Sequence, residues 1–141
     1  MLKMPKLRRV PDKHADTEKV TLNLGPVDLG RIDLLVREGF YSNRTDFIRA
    51  AIRGQLATDG AALAQSVARH RLEMGLFDVT RADLEALIDR GEVLHLRVLG
   101  LARIADDVTP DLARAAIASL TVLGALQAPA EVKAAIADRM D

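Results

Sequence analysis

The sequence predicts an α+β protein that is mostly helical, with an N-terminal domain that forms an intertwined dimer and a C-terminal α/β domain. Three observations support this prediction. Residues 18–24 alternate between polar and apolar side chains, which is the period of a half-buried strand. Residues 26–57 carry apolar side chains at helical spacing. The last fifty residues hold a short strand-helix pattern twice.

The predicted strand at residues 18–24 needs a partner from outside its own domain. Val20, Leu22 and Leu24 are apolar, and polar residues stand between them. A lone strand leaves a row of backbone amides and carbonyls unpaired. Pairing with the same strand of a second copy would give a two-stranded antiparallel ribbon. One face of that ribbon is apolar, and the polar face carries no acidic residue and is available to a partner.

Two helices are predicted after this strand. The first runs from Pro26 to Glu38, where proline suits the first turn, and Gly39 provides the left-handed residue that ends it. The second runs from Asn43 to Ala57 with Ser42 as its N-cap. The apolar residues of the strand and both helices are expected to form the dimer core. They are Val20, Leu22, Leu24, Ile32, Leu35, Phe47, Ile48 and Ile52.

Two segments of the sequence resemble those of a known family. They are Lys-Val-Thr-Leu-Asn-Leu at 19–24 and Gly-Phe-Tyr-Ser-Asn-Arg-Thr-Asp-Phe-Ile-Arg-Ala-Ala-Ile at 39–52. With the helix between them they resemble the ribbon-helix-helix family of bacterial DNA-binding proteins (CopG, Arc and MetJ-like). The resemblance covers residues 18–57 and implies a homodimer that binds double-stranded DNA.

The resemblance implies that Lys19, Thr21 and Asn23 of both subunits enter the major groove. Their chemistry agrees with this role. Lysine can donate to guanine O6 and N7, asparagine can pair with adenine N6 and N7, and threonine offers a hydroxyl and a methyl group. The alternative is that these three side chains form the ordinary solvated face of a dimer strand.

Two further groups of residues are predicted to contact phosphates. In the family, the start of the second helix binds the DNA backbone. The residues at that position here, which are therefore predicted to contact a phosphate, are Ser42, Asn43 and Arg44. The alternative is plain helix capping beside a solvated arginine. Residues 1–17 form a basic stretch with two prolines, which predicts a flexible arm that follows phosphates through Arg8 and Arg9. The alternative there is a merely solvated tail.

The distribution of charge favours a nucleic-acid partner at one end of the chain. Net charge is zero over 141 residues. Residues 1–57 nevertheless hold eleven Lys and Arg against seven Asp and Glu, and residues 58–141 hold nine against thirteen. A basic N-terminal part therefore precedes an acidic C-terminal part.

The C-terminal domain, residues 58–141, is predicted to begin at the break around Gly60. A helix from Ala61 to Met74, ended by Gly75, and a helix from Thr80 to Arg90 precede a repeat. Leu-Arg-Val-Leu-Gly at 96–100 recurs as Leu-Thr-Val-Leu-Gly at 120–124, and each copy leads into a helix that begins at a proline. This pattern predicts a small parallel sheet with helices on one side, packed on the 61–90 helices or on a second copy. The alternative is a chance repeat in Ala- and Leu-rich sequence.

Several kinds of site find no support in the sequence. There is no cysteine, which excludes disulfides and suits a cytoplasmic protein. The three histidines are scattered, so no metal ion is expected, and no phosphate loop, dinucleotide fingerprint or nucleophile elbow predicts a cofactor or an enzyme. The longest uncharged run, 115–130, is too short and too polar to span a membrane.

Three functions remain after these exclusions. The leading hypothesis is a homodimeric transcriptional repressor at an inverted or repeated operator. The second is an antitoxin, whose C-terminal domain would bind a protein partner. The third is a DNA-associated assembly protein in which residues 61–141 join dimers into tetramers or larger arrays.

Overall fold

The structure, a computed structural model, describes residues 7–9 and 17–141 of the chain. These residues form helices and strands in an α+β arrangement, as predicted. The elements in chain order are β1 (Arg8–Arg9), α1 (Pro26–Arg37), α2 (Arg44–Thr58), α3 (Gly60–His70), β2 (Glu73–Val79), α4 (Arg81–Asp89), β3 (Leu94–Ile104), α5 (Pro110–Ala116), β4 (Ile117–Gln127), α6 (Ala130–Ala135) and a 3-10 helix (Ala137–Arg139).

Contacts divide the chain into two compact units. One, called here the helical unit, is Lys19–Ser66, and the other, the sheet unit, contains Val67–Asp141 and the described residues before Lys19. The division falls inside α3. A single residue separates the end of α2 from the start of α3. Gly60, near which the C-terminal domain was predicted to begin, is the first residue of α3.

The sheet unit is built on parallel strands with helices on one face. The strand order is β1-β2-β3-β4, with β2, β3 and β4 parallel and β1 antiparallel to β2. Alternate residues of β3 (Leu94, Leu96 and Val98) are buried in the same cluster as Leu84 of α4 and Val132 of α6. The small parallel sheet with helices on one side is thus as predicted, and α4 packs on it.

The start of this sheet differs from the prediction. Residues 73–79 form strand β2, whereas a helix was expected to continue to Met74. Helix α3 ends at His70, because Arg71 adopts a left-handed conformation with φ 54°. The sheet unit consequently contains three strand-helix repeats where two were expected: β2-α4, β3-α5 and β4-α6. Three stacked units meet the usual minimum for a stable repeat fold.

One glycine in each repeat lies at the same level of the sheet. Gly75 pairs with Gly100, and Gly100 pairs with Gly124. All three have positive φ, at 144°, 139° and 123°. A Cβ on Gly100 would lie 2.1 Å from the carbonyl oxygen of Gly75, and a Cβ on Gly124 would lie 2.1 Å from that of Gly100. The strands can therefore approach each other this closely at Gly100 and Gly124 only because neither residue has a side chain.

The helix caps of the repeats follow the sequence signals. Thr80 accepts from the amide of Asp83 while the Asp83 carboxylate accepts from the amide of Thr80, which is a capping box. Thr109 caps α5 by accepting from the amide of Leu112. Among the described residues, no helix is long and apolar enough to cross a membrane.

Candidate nucleic-acid interface

The segment predicted to form the ribbon has no regular secondary structure in the single chain, and its side chains are exposed. Within the described residues, 17–25 have no strand partner. The three apolar side chains of the segment are exposed, by 86% at Val20, 61% at Leu22 and 38% at Leu24. The three polar residues predicted to contact bases, Lys19, Thr21 and Asn23, are exposed as well. Within residues 7–9 and 17–141, these three apolar side chains are therefore left exposed to solvent.

The helical unit as a whole buries little apolar surface. Among its described residues only Ile32 is buried, at 6% exposure. Of the other residues predicted for the dimer core, Leu35, Phe47 and Ile48 are half-buried and Ile52 is 53% exposed. Large apolar side chains outside that prediction are also exposed, namely Val27, Leu34, Phe40 and Leu56. A unit of this length needs a larger core than one chain supplies.

The turn between α1 and α2 is fixed by a glycine cap and by an aromatic contact. Gly39 has φ 85°, its amide donates to the carbonyl of Val36 at 3.1 Å, and the Phe40 amide donates to that of Leu35 at 3.0 Å. This is the Schellman pattern of a helix end, so the predicted cap is confirmed. The rings of Tyr41 and Phe47 pack edge to face with centroids 5.1 Å apart. The chain therefore enters α2 in a defined direction.

The cap of α2 lies one residue later than predicted. Asn43, and not Ser42, is the N-cap: its Oδ1 accepts from the amide of Asp46 at 2.8 Å. The Asp46 carboxylate in turn accepts from the amide of Ser42 at 3.0 Å. Asn43 therefore takes the position whose side chain can reach the third residue of the helix. By helix geometry, the free amides at this end are those of Arg44 and Thr45.

The Arg44 side chain joins the two helices. Its Nε donates to Asp33 Oδ1 at 2.8 Å and its Nη2 donates to Asp33 Oδ2 at 2.9 Å, a bidentate pair between the start of α2 and α1. These hydrogen bonds lower the pKa of Asp33 and raise that of Arg44. The guanidinium is thus already engaged, whereas the backbone amides of Arg44 and Thr45 have no acceptor in the part of the chain that the structure describes.

Asp33 was not among the residues predicted for this region. The two partners are eleven residues apart and lie on different helices. Only the angle between α1 and α2 brings them together, so the spacing rule for ion pairs within one helix gives no signal for this contact.

The Asp33–Arg44 pair predicts how the stability of the helical unit depends on pH. Because the pKa of Asp33 is lowered in the folded chain, its contribution is fully present above the unfolded value of about 3.9 and is lost as pH falls through the lower folded value. We expect Asp33→Asn to remove this acid-side dependence. Urea unfolding between pH 2 and 7 at one fixed protein concentration measures it.

Arg44→Gln is the matched control for this prediction. It removes the other partner, so it should abolish the same part of the pH dependence, and the double variant should lose no more than either single variant. Strictly additive losses would mean that the two side chains act independently.

Arg8 and Arg9 belong to the sheet unit. Arg8 pairs with Asp78 of β2 and Arg9 with Phe77, in antiparallel register. This short strand differs from the flexible arm expected over residues 1–17, because β2 supplies an edge with which the chain can pair. The remaining arm residues, 1–6 and 10–16, lie outside the described residues, and the predicted phosphate contacts of Arg8 and Arg9 stay predictions.

Comparison with known proteins gives one match. A family model described as the ribbon-helix-helix transcriptional regulator family matches residues 15–133. The match therefore extends beyond the ribbon segment and its two helices into the sheet unit. No curated protein and no solved structure matches the chain.

Proposed function

The chain belongs to the ribbon-helix-helix transcriptional regulator family, and from this premise we propose that it is a homodimeric repressor that binds a specific sequence of double-stranded DNA. In this proposal residues 18–24 of two chains pair into an antiparallel ribbon. Lys19, Thr21 and Asn23 of each chain contact base edges in the major groove.

The exposed apolar row of the ribbon segment is the observation that carries this proposal. Val20, Leu22 and Leu24 are all exposed in one chain, and in a strand the polar side chains between them would alternate to the other face. Pairing with a second copy would cover the apolar row and satisfy the backbone of the strand at the same time. The same pairing places the polar side chains of both chains on one surface, where they can contact the base edges of a duplex.

The start of α2 supports a positioning role on the DNA backbone. The Arg44 and Thr45 amides point out of the helix end, where the helix dipole favours an anion. The Arg44 guanidinium is held by Asp33, so we propose that backbone amides make the main phosphate contact. Ser42 and Asn43 contribute by fixing this end of the helix.

Selection of bound duplexes from a random pool tests the proposal. We expect one enriched sequence with two inverted or directly repeated half-sites, because a two-fold dimer presents two equivalent reading surfaces. Recovery of a single, unrepeated site, or no enrichment at all, would contradict the proposed dimeric repressor.

Replacing Asn23 by alanine should weaken binding to the selected duplex by about 1–3 kcal/mol, or roughly 5- to 150-fold. The preference at one base pair of each half-site should relax at the same time. Titration of labelled duplex at fixed salt measures the loss, and a repeated selection measures the preference.

Arg49→Ala is the matched control for Asn23→Ala. Arg49 is an exposed residue of α2 that we expect to be solvated and not to contact DNA. If both variants lose affinity equally and neither changes the base preference, Asn23 does not read a base.

A further inference from the structure

The two edges of the parallel sheet differ in how they are covered. The outer side of β2 carries β1, through Arg8 and Arg9. The outer side of β4 is met by the C-terminal residues only near its start, within the described chain: Met140 forms a bridge with Leu120, the Asp141 amide donates to the Leu120 carbonyl at 3.0 Å, and Arg139 Nη1 donates to the Ile117 carbonyl at 2.6 Å. Beyond Leu120, the backbone groups of β4 that face outward have no partner among the described residues.

The composition of β4 makes this edge unusual. An exposed edge strand in a monomeric protein generally carries a charged residue or a proline, either of which prevents another strand from pairing with it. The eleven residues Ile117–Gln127 contain neither. Leu123 is 54% exposed in the middle of the strand. These are the properties of an edge that pairs with another strand.

A second copy of the chain is the partner that fits this edge best. Antiparallel pairing places an uncharged strand opposite itself, so no like charges meet. Identical strands related by a two-fold axis also form a closed contact. A head-to-tail array would instead need the outer edge of β2, which β1 occupies at Phe77 and Asp78. We propose that the outer edge of β4 pairs antiparallel with β4 of a second copy, independently of the ribbon.

Measurement of mass in solution tests this pairing in the full chain. Leu22→Asp places a carboxylate in the apolar row of the ribbon segment and removes the ribbon contact. We expect this variant to keep twice the chain mass, because β4 still pairs. Adding Leu123→Lys should halve that mass, since the two-fold axis brings each new lysine close to its own copy.

Met74→Lys is the matched control for Leu123→Lys. Met74 is 57% exposed and lies at the same level of the sheet, on β2. Combined with Leu22→Asp, it should leave the mass at two chains. A monomeric Leu22→Asp variant, or a Leu22→Asp/Leu123→Lys variant that remains at two chains, would overturn the β4 pairing. Neither result bears on whether the wild-type ribbon binds DNA, so the two proposals fail separately.

Disulfide cross-linking gives a second measurement, because the chain has no cysteine of its own. We expect a covalent dimer under mild oxidation from at least one of three variants, tested singly and in pairwise mixtures. The variants are Thr121→Cys, Leu123→Cys and Ala125→Cys. Facing residues of an antiparallel pair come within disulfide range. Met74→Cys should stay uncross-linked. No cross-link at any β4 position, or equal yield from Met74→Cys, would contradict the pairing.

Discussion

Gly100→Ala is expected to lower the stability of the sheet unit by about 2–5 kcal/mol. The new methyl group would lie 2.1 Å from the carbonyl oxygen of Gly75, which is backbone and cannot rotate away. Displacing it should cost about 1–3 kcal/mol, and the φ of 139° at Gly100 adds about 1–2 kcal/mol for any residue with a Cβ. Hydrogen exchange of the β3 amides measures the effect, since it reports on this unit alone.

Gly91→Ala separates the two causes of that loss. Gly91 has φ 68°, yet a Cβ built on it has no atom within 4 Å. The variant should therefore lose only about 1–2 kcal/mol of stability, which is the cost of a left-handed backbone conformation for a residue with a Cβ. If Gly91→Ala and Gly100→Ala reduce stability equally, the close approach of the strands at the glycine row has no energetic importance.

The glycine row also explains which parts of the sheet could be predicted from sequence. Strands β3 and β4 were predicted because Gly100 and Gly124 end two similar five-residue segments. The first member, Gly75, was assigned to a helix end instead. A glycine with positive φ is common both as a helix cap and at a strand irregularity, so the residue alone does not distinguish them. The distinguishing signal is the spacing of 25 and 24 residues between Gly75, Gly100 and Gly124.

The N-cap of α2 shows a similar limit at a smaller scale. Ser42 and Asn43 are both favourable capping residues, and the backbone decides which of them caps the helix. The acid at Asp46 could have decided the question from sequence, because it stands three residues after Asn43, at the position a capping box requires. The ion pair between Asp33 and Arg44 had no such signal, since it depends on the packing of two helices.

The apolar row of the ribbon segment could be predicted, but its environment could not. Alternation identifies which side chains share a face of a strand. It does not show what covers that face, and one chain leaves Val20 and Leu22 mostly exposed. In the proposed dimer a second molecule covers that face, so one substitution on each face of the segment should separate folding from DNA binding.

Leu22→Asp is expected to abolish specific DNA binding, with a loss of at least about 100-fold, by preventing the ribbon from forming. Two copies of this residue would bring two carboxylates into the apolar side of the dimer, where an unpaired charge costs several kcal/mol. Since Ile32 alone is buried among the described residues of the helical unit, α1 and α2 should lose hydrogen-exchange protection at the same time.

Thr21→Asp is the matched control, because it places the same carboxylate on the opposite face of the same segment. It should also weaken DNA binding, through repulsion from the phosphates and loss of a base contact, but α1 and α2 should keep their protection. Loss of protection in both variants would mean that the two faces of the segment are equally buried. Retained protection in Leu22→Asp would mean that residues 18–24 do not form the dimer contact, and the proposed reading of DNA by a two-stranded ribbon would then be wrong.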